Sequence, residues 1–93
     1  MNQEIPIVWT AYLRYRAELR GFELARIEEI VRYSKERYVD NATARLVAIG
    51  KQADRLLMVP YEREEDAFRP VTVHATTRNQ IEARIRSGRF THE

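Results

Sequence analysis

Residues 44–61, with the sequence ARLVAIGKQADRLLMVPY, decide the fold that we expect for this chain. The segments 44–51 and 55–61 are short and mostly aliphatic, and the residues 52–54 between them favour a turn. Two such runs joined by a short turn predict an antiparallel pair of strands. Because Pro60 has no backbone N–H, we expect it near the end of its strand or on a side without ladder hydrogen bonds.

Two helices are predicted before this pair of strands. Thr10 is a plausible N-cap for a helix that runs to Arg20, and Gly21 is suited to end that helix in the left-handed conformation. Residues 23–34 predict a second helix, because apolar side chains recur on one face at Leu24, Ile27, Ile30 and Val31. Residues 5–9 form a short apolar run that fits either an edge strand or a lead-in.

The C-terminal part predicts further strands and one helix. Residues 37–39 form a short strand, and a charged loop over 62–68 leads to a last strand over 69–75. In that last strand we expect Arg69, Val71, Val73 and Ala75 on one face, opposite Pro70, Thr72 and His74. Thr77 and Gln80 have the spacing of a capping box, which begins a helix that runs to about residue 87, turns Ile81 and Ile85 inward and ends at Gly88.

The order of these elements predicts an α+β domain over residues 5–90, followed by a frayed tail at 91–93. Consecutive strands with short connections should form an antiparallel sheet of three to four strands. One face of this sheet would pack on the N-terminal helical hairpin, and the C-terminal helix would follow the last strand.

The amino-acid composition excludes several classes of protein. The chain has 93 residues, enough for one domain, and 44% of them are hydrophobic. It has no cysteine, which excludes a disulfide scaffold, a thiolate zinc site and a cysteine nucleophile. Neither a signal peptide nor an apolar run of about 20 residues is present, so we expect a cytoplasmic protein without a membrane partner. No cofactor or metal motif occurs, and we expect neither group.

Basic residues are concentrated near the C-terminus. The segment 69–89 contains five arginines and one acidic residue, Glu82. Such a segment predicts a phosphate-binding surface, with a solvated helix face as the alternative. Trp9, Tyr12, Tyr15, Tyr33 and Tyr38 cluster in the N-terminal half. We expect these rings to be packed in the core, with base stacking as the alternative.

The segment 45–84 resembles the C-terminal half of BrnT-type toxins, which belong to the RelE/ParE superfamily of bacterial toxin–antitoxin systems. The matching features are Ile49-Gly50, the strand 55–59, and the segment 69–77 that leads into an arginine-rich helix. At the N-terminus, Arg16, Arg20 and Gly21 match an R-x-x-x-R-G pattern of related small proteins. The resemblance covers about residues 10–88.

This resemblance implies a helical hairpin on a twisted antiparallel sheet, and a toxin-like function. Its implied partners are a cognate antitoxin protein and RNA or the ribosome; the oligomeric state stays open. The chain departs from the family pattern at four points. His74 stands in place of an arginine, Thr72 in place of a serine and Pro70 in place of an aliphatic residue, and Phe90 is the only aromatic residue where the family often has a tyrosine.

Metal-independent RNA cleavage needs a group that titrates near neutral pH and fixed positive charge on the phosphate. We therefore predict His74, Arg69 and Arg78 as catalytic residues, with His74 kept neutral by nearby cations. Arg84, Arg86 and Tyr61 are predicted to bind RNA phosphate. The alternatives to an endoribonuclease are a binding module of the same fold, for RNA or a protein partner, and a structural or regulatory protein that docks a partner's helix.

Overall fold

The computed structural model describes residues 5–93, and its first two helices are α1 (Ala11–Arg20) and α2 (Leu24–Tyr33). The Thr10 hydroxyl accepts a hydrogen bond from the Leu13 N–H at 3.1 Å. At the other end of α1, Gly21 has a φ of 73°, and the Phe22 N–H donates to the Ala17 carbonyl at 2.8 Å. Both predicted caps of α1 are confirmed, and they set the tight turn between the two helices.

Within residues 5–93, six strands form one antiparallel sheet. They are β1 (Glu36–Asp40), β2 (Arg45–Gln52), β3 (Arg55–Arg63), β4 (Phe68–Pro70), β5 (His74–Thr76) and β6 (Phe90–His92). Their order is β4-β3-β2-β1-β6, and β5 pairs with β3 on the side of β4. The predicted α+β class is confirmed, although the sheet is larger than three or four strands. The 5–9 segment is a lead-in, with a single parallel bridge from Ile7 to Phe68.

Helices cover both faces of the sheet. On one face, α1 and α2 form a core that includes Leu13, Ile27, Ala48, Leu57 and Val59. On the other face, helix α3 (Arg78–Arg86) completes a smaller core made of Tyr38, Val47, Ile49, Ile81 and Phe90. α3 begins with the predicted capping box between Thr77 and Gln80. It connects β5 at one edge of the sheet with β6 at the other, which sequence reasoning did not predict.

The predicted strand over residues 69–75 is interrupted. β4 ends at Pro70, and β5 begins at His74. The Pro60 carbonyl of β3 accepts a hydrogen bond from the Val71 N–H at 2.8 Å. Since the N and O atoms of one strand residue point toward the same neighbour, the missing donor of Pro60 faces this interruption and not β2. The ladder between β3 and this edge therefore lacks the one donor that Pro60 would have supplied, beside the point where β4 ends.

The interruption also changes which side chains are buried. Val73 is buried in the core beneath the hairpin and Ala75 lies opposite Leu57 of that core, so these two share a face as predicted. Pro70, however, lies opposite Tyr61 of the same core and so shares this face, where a continuous strand would place it on the other. The predicted alternation is therefore wrong at Pro70, because the backbone leaves the strand conformation between β4 and β5.

The C-terminal residues do not fray as predicted. Residues 90–92 form β6, in which Thr91 lies opposite Val39 and His92 opposite Tyr38 of β1. Phe90 is buried and stacks on the Tyr38 ring, with centroids 5.3 Å apart. Hydrogen bonds along the outer edge of β1, together with burial of the Phe90 ring, explain why this end is ordered.

Candidate functional site

His74 lies in a cavity between the sheet and α3, in the register position opposite Met58. The cavity has a volume of about 150 Å³, and we call it the His74 cavity. Its walls are formed by Asp40, Thr43, Arg45, Val47, Met58, Pro60, Thr72, His74, Arg84, Arg89 and Phe90. The interruption between β4 and β5 contributes Thr72 to this wall, so the broken edge strand is part of the site.

The wall of the His74 cavity carries excess positive charge. It contains three arginines and one carboxylate, Asp40. Asp40 is buried and accepts two hydrogen bonds from Arg89, both at 3.0 Å. The Arg89 guanidinium holds the pKa of Asp40 below its usual value, against the opposing effect of burial. Because Asp40 and Arg89 compensate each other, the net charge of the wall comes from Arg84 and from Arg45, whose ion-pair partner Glu62, at 3.9 Å, lies outside the cavity wall.

Arg16 reaches His74 from helix α1. Its Nη2 atom lies 3.4 Å from Nδ1 of the imidazole. A guanidinium can only donate hydrogen bonds, so Nδ1 is the acceptor and the ring proton of a neutral His74 is on Nε2. The imidazole therefore presents an N–H donor on its Nε2 side, and its single lone pair faces Arg16.

The surroundings of His74 favour the neutral ring. Burial lowers the pKa of His74 below its usual value, and the positive charges of Arg16, Arg20 and Arg84 lower it further. Arg16 and Arg20 belong to α1, while Arg84 belongs to α3. The predicted depression of this pKa agrees with the structure, but the arginines responsible are not the two that sequence reasoning placed beside His74.

Three buried polar atoms around His74 have no hydrogen-bond partner within residues 5–93. They are Nε of Arg16, Nε of Arg45 and Oγ1 of Thr72. The Nε atom of Arg45 lies 3.9 Å from a Glu62 carboxylate oxygen, which is too far for a hydrogen bond. An unsatisfied buried donor costs about 1–3 kcal/mol. A ligand with several acceptor oxygens would remove that cost at Arg45 and Thr72, both of which line the cavity.

Two of the predicted catalytic residues lie away from His74. Arg69 of β4 forms ion pairs with Glu64 and, at 3.9 Å, with Glu62. Arg78, at the start of α3, pairs with Glu36 of β1 at 2.6 Å. Neither arginine lines the His74 cavity. The five arginines of the basic segment therefore do not form one continuous surface.

Of the three residues predicted to bind RNA, only one lines the His74 cavity. Arg84 lines the cavity, and its guanidinium carbon lies 5.7 Å from the centre of the Phe90 ring. Arg86 points into solvent, 3.9 Å from Glu82 on the same helix. Tyr61 is buried in the core beneath the hairpin, and its hydroxyl accepts a hydrogen bond from Arg37 at 2.7 Å. Tyr61 is thus a core residue with no surface to offer RNA.

Sequence reasoning missed most of the cavity wall. Arg45 had a usable signal, since alternation along β2 places it on the same face as Val47 and Ile49. Arg89 was counted in the basic segment but had no assigned role. Arg16 and Asp40 come from the other half of the chain, and no local pattern connects them with His74.

Comparisons of this chain with protein-family models, curated proteins and solved structures found no significant match. In the described part of the chain, no group of three or more His, Cys, Asp or Glu side chains is placed to hold a metal ion. Each helix there is too short or too polar to cross a lipid bilayer.

Proposed function

We propose that this protein binds RNA and holds a backbone phosphate in the His74 cavity. The observation that carries the proposal is the joint presence of Arg45, Arg84 and the unsatisfied Thr72 hydroxyl around one enclosed space. Within residues 5–93, Arg84 has no ion pair. A cavity of about 150 Å³ far exceeds the roughly 10–15 Å³ that one water needs, and it has room for a tetrahedral oxyanion.

Each residue of the cavity wall would contribute differently to binding a phosphate. Arg45 and Arg84 supply charge and N–H donors, which suit the oxygens of a phosphodiester. Thr72 and the Nε2–H of His74 add neutral donors on the strand side. The Asp40–Arg89 pair forms a fixed wall and keeps a free carboxylate away from the anion.

The choice of RNA among phosphate ligands follows from the resemblance to BrnT-type toxins. In this proposal the protein is a toxin-like binding module, and a cognate antitoxin would act by covering the basic cavity. Between RNA binding and RNA cleavage, the direction of the lone pair on Nδ1 of His74 favours binding alone. That lone pair faces Arg16 at 3.4 Å, so it is not free to take a proton from a 2′-hydroxyl.

Metal-independent cleavage of RNA is the second candidate, and the lowered pKa of His74 favours it because a general base must be neutral. For this step Arg16 would have to leave Nδ1. The imidazole would then take the 2′-hydroxyl proton, the 2′-oxygen would bond to phosphorus, and the bond to the 5′-oxygen would break. That leaving oxygen would take its proton from water, since the cavity's one carboxylate is committed to Arg89.

Binding and cleavage can be separated in one experiment. A labelled single-stranded RNA of about 12 nucleotides is titrated with wild type, Thr72→Val and His74→Gln, and each sample is then run on a gel. Thr72→Val keeps the side-chain shape but removes the unsatisfied hydroxyl. We expect it to weaken binding by about 2- to 10-fold without lowering the melting temperature.

Intact RNA in every sample is expected for a binding module. Cleavage by wild type that is lost in His74→Gln would instead support the ribonuclease. If wild type does not bind the RNA, or if Thr72→Val binds it as tightly as wild type, the phosphate site is not in this cavity.

A further inference from the structure

Helix α1 exposes a stripe of large side chains that the core does not use. The exposed fractions are 57% for Tyr12, 60% for Tyr15 and 59% for Leu19. These residues are separated by three and four positions, so they lie along one side of the helix. We call them the α1 stripe. The expectation that Tyr12, Tyr15 and Tyr33 are packed in the core is wrong, because all three are exposed; α1 buries Leu13 and Ala17, and α2 buries Ile27, Ile30 and Val31.

One end of the α1 stripe lies near Arg16, the α1 residue that reaches His74. Tyr12, Arg16 and Arg20 are spaced by four residues and follow one another along a single row of α1. Arg16 contacts His74, and the charge of Arg20 acts on the same imidazole. Tyr12 is therefore one helical turn from the residue that reaches His74, and Tyr15, three positions after Tyr12, lies beside Tyr12 on the exposed side of α1.

We propose that the α1 stripe is a stacking surface for the bases of single-stranded RNA. This inference rests on the proposed function, because the RNA phosphate in the His74 cavity would bring the adjacent nucleotides over α1. Exposed tyrosine rings can stack on any base, and a strand must be unpaired for its bases to reach them. The substrate class is therefore single-stranded RNA without a strict base sequence.

The charge around the stripe favours a nucleic acid over a protein helix as the occupant. α1 carries Arg14, Arg16 and Arg20 against one acidic residue, Glu18. Tyr12 and Tyr15 have no ring–ring or cation–π contact within residues 5–93. A base can therefore stack on the exposed part of each ring. Glu18 lines the same shallow pocket as Tyr15 and Leu19, but the three arginines give α1 a net positive charge that favours the phosphates of a nucleic acid.

The test compares RNA with an abasic oligonucleotide of equal length, which keeps every phosphate but offers no base. The proteins are wild type, the double variant Tyr12→Leu/Tyr15→Leu, and Tyr33→Leu as a control at an exposed tyrosine of α2. Leucine preserves an apolar surface and helix propensity but cannot stack on a base as tyrosine does.

Wild type should bind the RNA more tightly than the abasic strand, and each stacked base should contribute a factor of at least about five to this difference in affinity. The double variant should lose this preference and keep the affinity of wild type for the abasic strand. Tyr33→Leu should behave as wild type, and perfectly paired RNA should bind like the abasic strand.

If the double variant keeps the full preference for RNA over the abasic strand, the stacking surface is refuted while the phosphate site stands. If wild type binds RNA and the abasic strand equally, the stripe does not touch bases, and a protein partner becomes its better occupant. If wild type binds neither strand, the proposed function itself fails.

Discussion

Nη2 of Arg16 lies 3.4 Å from Nδ1 of His74, although the two residues are 58 positions apart in the chain. This contact connects helix α1 with the edge strand β5 and brings the guanidinium to the imidazole beside the cavity. It also fixes which nitrogen of His74 carries the ring proton. The same contact explains why His74 is better suited to donate a hydrogen bond than to act as a base.

Replacing Arg16 should change the titration of His74. Arg16→Gln removes the positive charge nearest Nδ1, so the pKa of His74 should rise toward its usual value of about 6.5. NMR titration of the imidazole carbon-bound protons in wild type and Arg16→Gln measures this shift directly. An unchanged pKa would mean that burial and the charges of Arg20 and Arg84, without Arg16, set the pKa of His74.

The pKa of His74 also predicts how stability depends on pH. It is lower in the folded protein than in the unfolded chain, so the unfolded chain binds the proton more readily. The stability contribution is complete above about pH 6.5 and falls as the pH drops from there to the lower folded pKa. Urea unfolding between about pH 7.5 and pH 5 should show this loss in wild type, and His74→Gln should reduce it.

The local features of the fold follow from the sequence because their hydrogen bonds connect residues within a few positions. Examples of such short-range hydrogen bonds are those between Thr10 and Leu13, between Gly21 and the end of α1, and between Thr77 and Gln80. The interruption of the edge strand could not be derived in the same way. It lies where Pro60 of β3 faces Val71, one residue beyond the end of β4, and that placement depends on the register of the sheet.

The candidate site was predictable only in part for a similar reason. The sequence identified the arginines of the C-terminal segment but could not assign their partners. Arg78 pairs with Glu36, which is 42 positions away, and Arg89 pairs with Asp40, which is 49 positions away. The first pairing holds Arg78 away from the cavity, the second neutralises Arg89 within its wall, and Arg84 remains there without an ion pair among residues 5–93.

Gly50 is predicted to be essential for the contact between α2 and the sheet. A Cβ atom at this position would clash with Cγ1 of Ile30 and lie 2.9 Å from its Cδ1. Gly50→Ala should therefore lower the free energy of unfolding by about 1–3 kcal/mol. The double variant Gly50→Ala/Ile30→Ala, which removes the clashing atoms, should be less destabilised than the sum of the two single changes. Additive losses in urea unfolding would show that the clash does not exist.

Gly21 is predicted to be required for the turn between α1 and α2. Its φ of 73° is unfavourable for a side chain with a Cβ branch. Gly21→Val should lower stability by more than about 1 kcal/mol. Gly21→Asn should cost less, because asparagine tolerates the left-handed region. Equal melting temperatures for wild type and Gly21→Val would contradict the helical hairpin described here.

A phosphate site in the His74 cavity is tested by the salt dependence of RNA binding, with Arg84→Gln compared against Arg86→Gln. The two residues lie on the same helix and their replacement changes the net charge equally, but only Arg84 lines the His74 cavity. If Arg84 contacts a phosphate, Arg84→Gln should lower the slope of log affinity against log salt by about 0.7, the value for one lost phosphate contact on a single strand. Arg86→Gln should leave the slope unchanged. Equal slopes for the two variants would contradict a phosphate site in the His74 cavity.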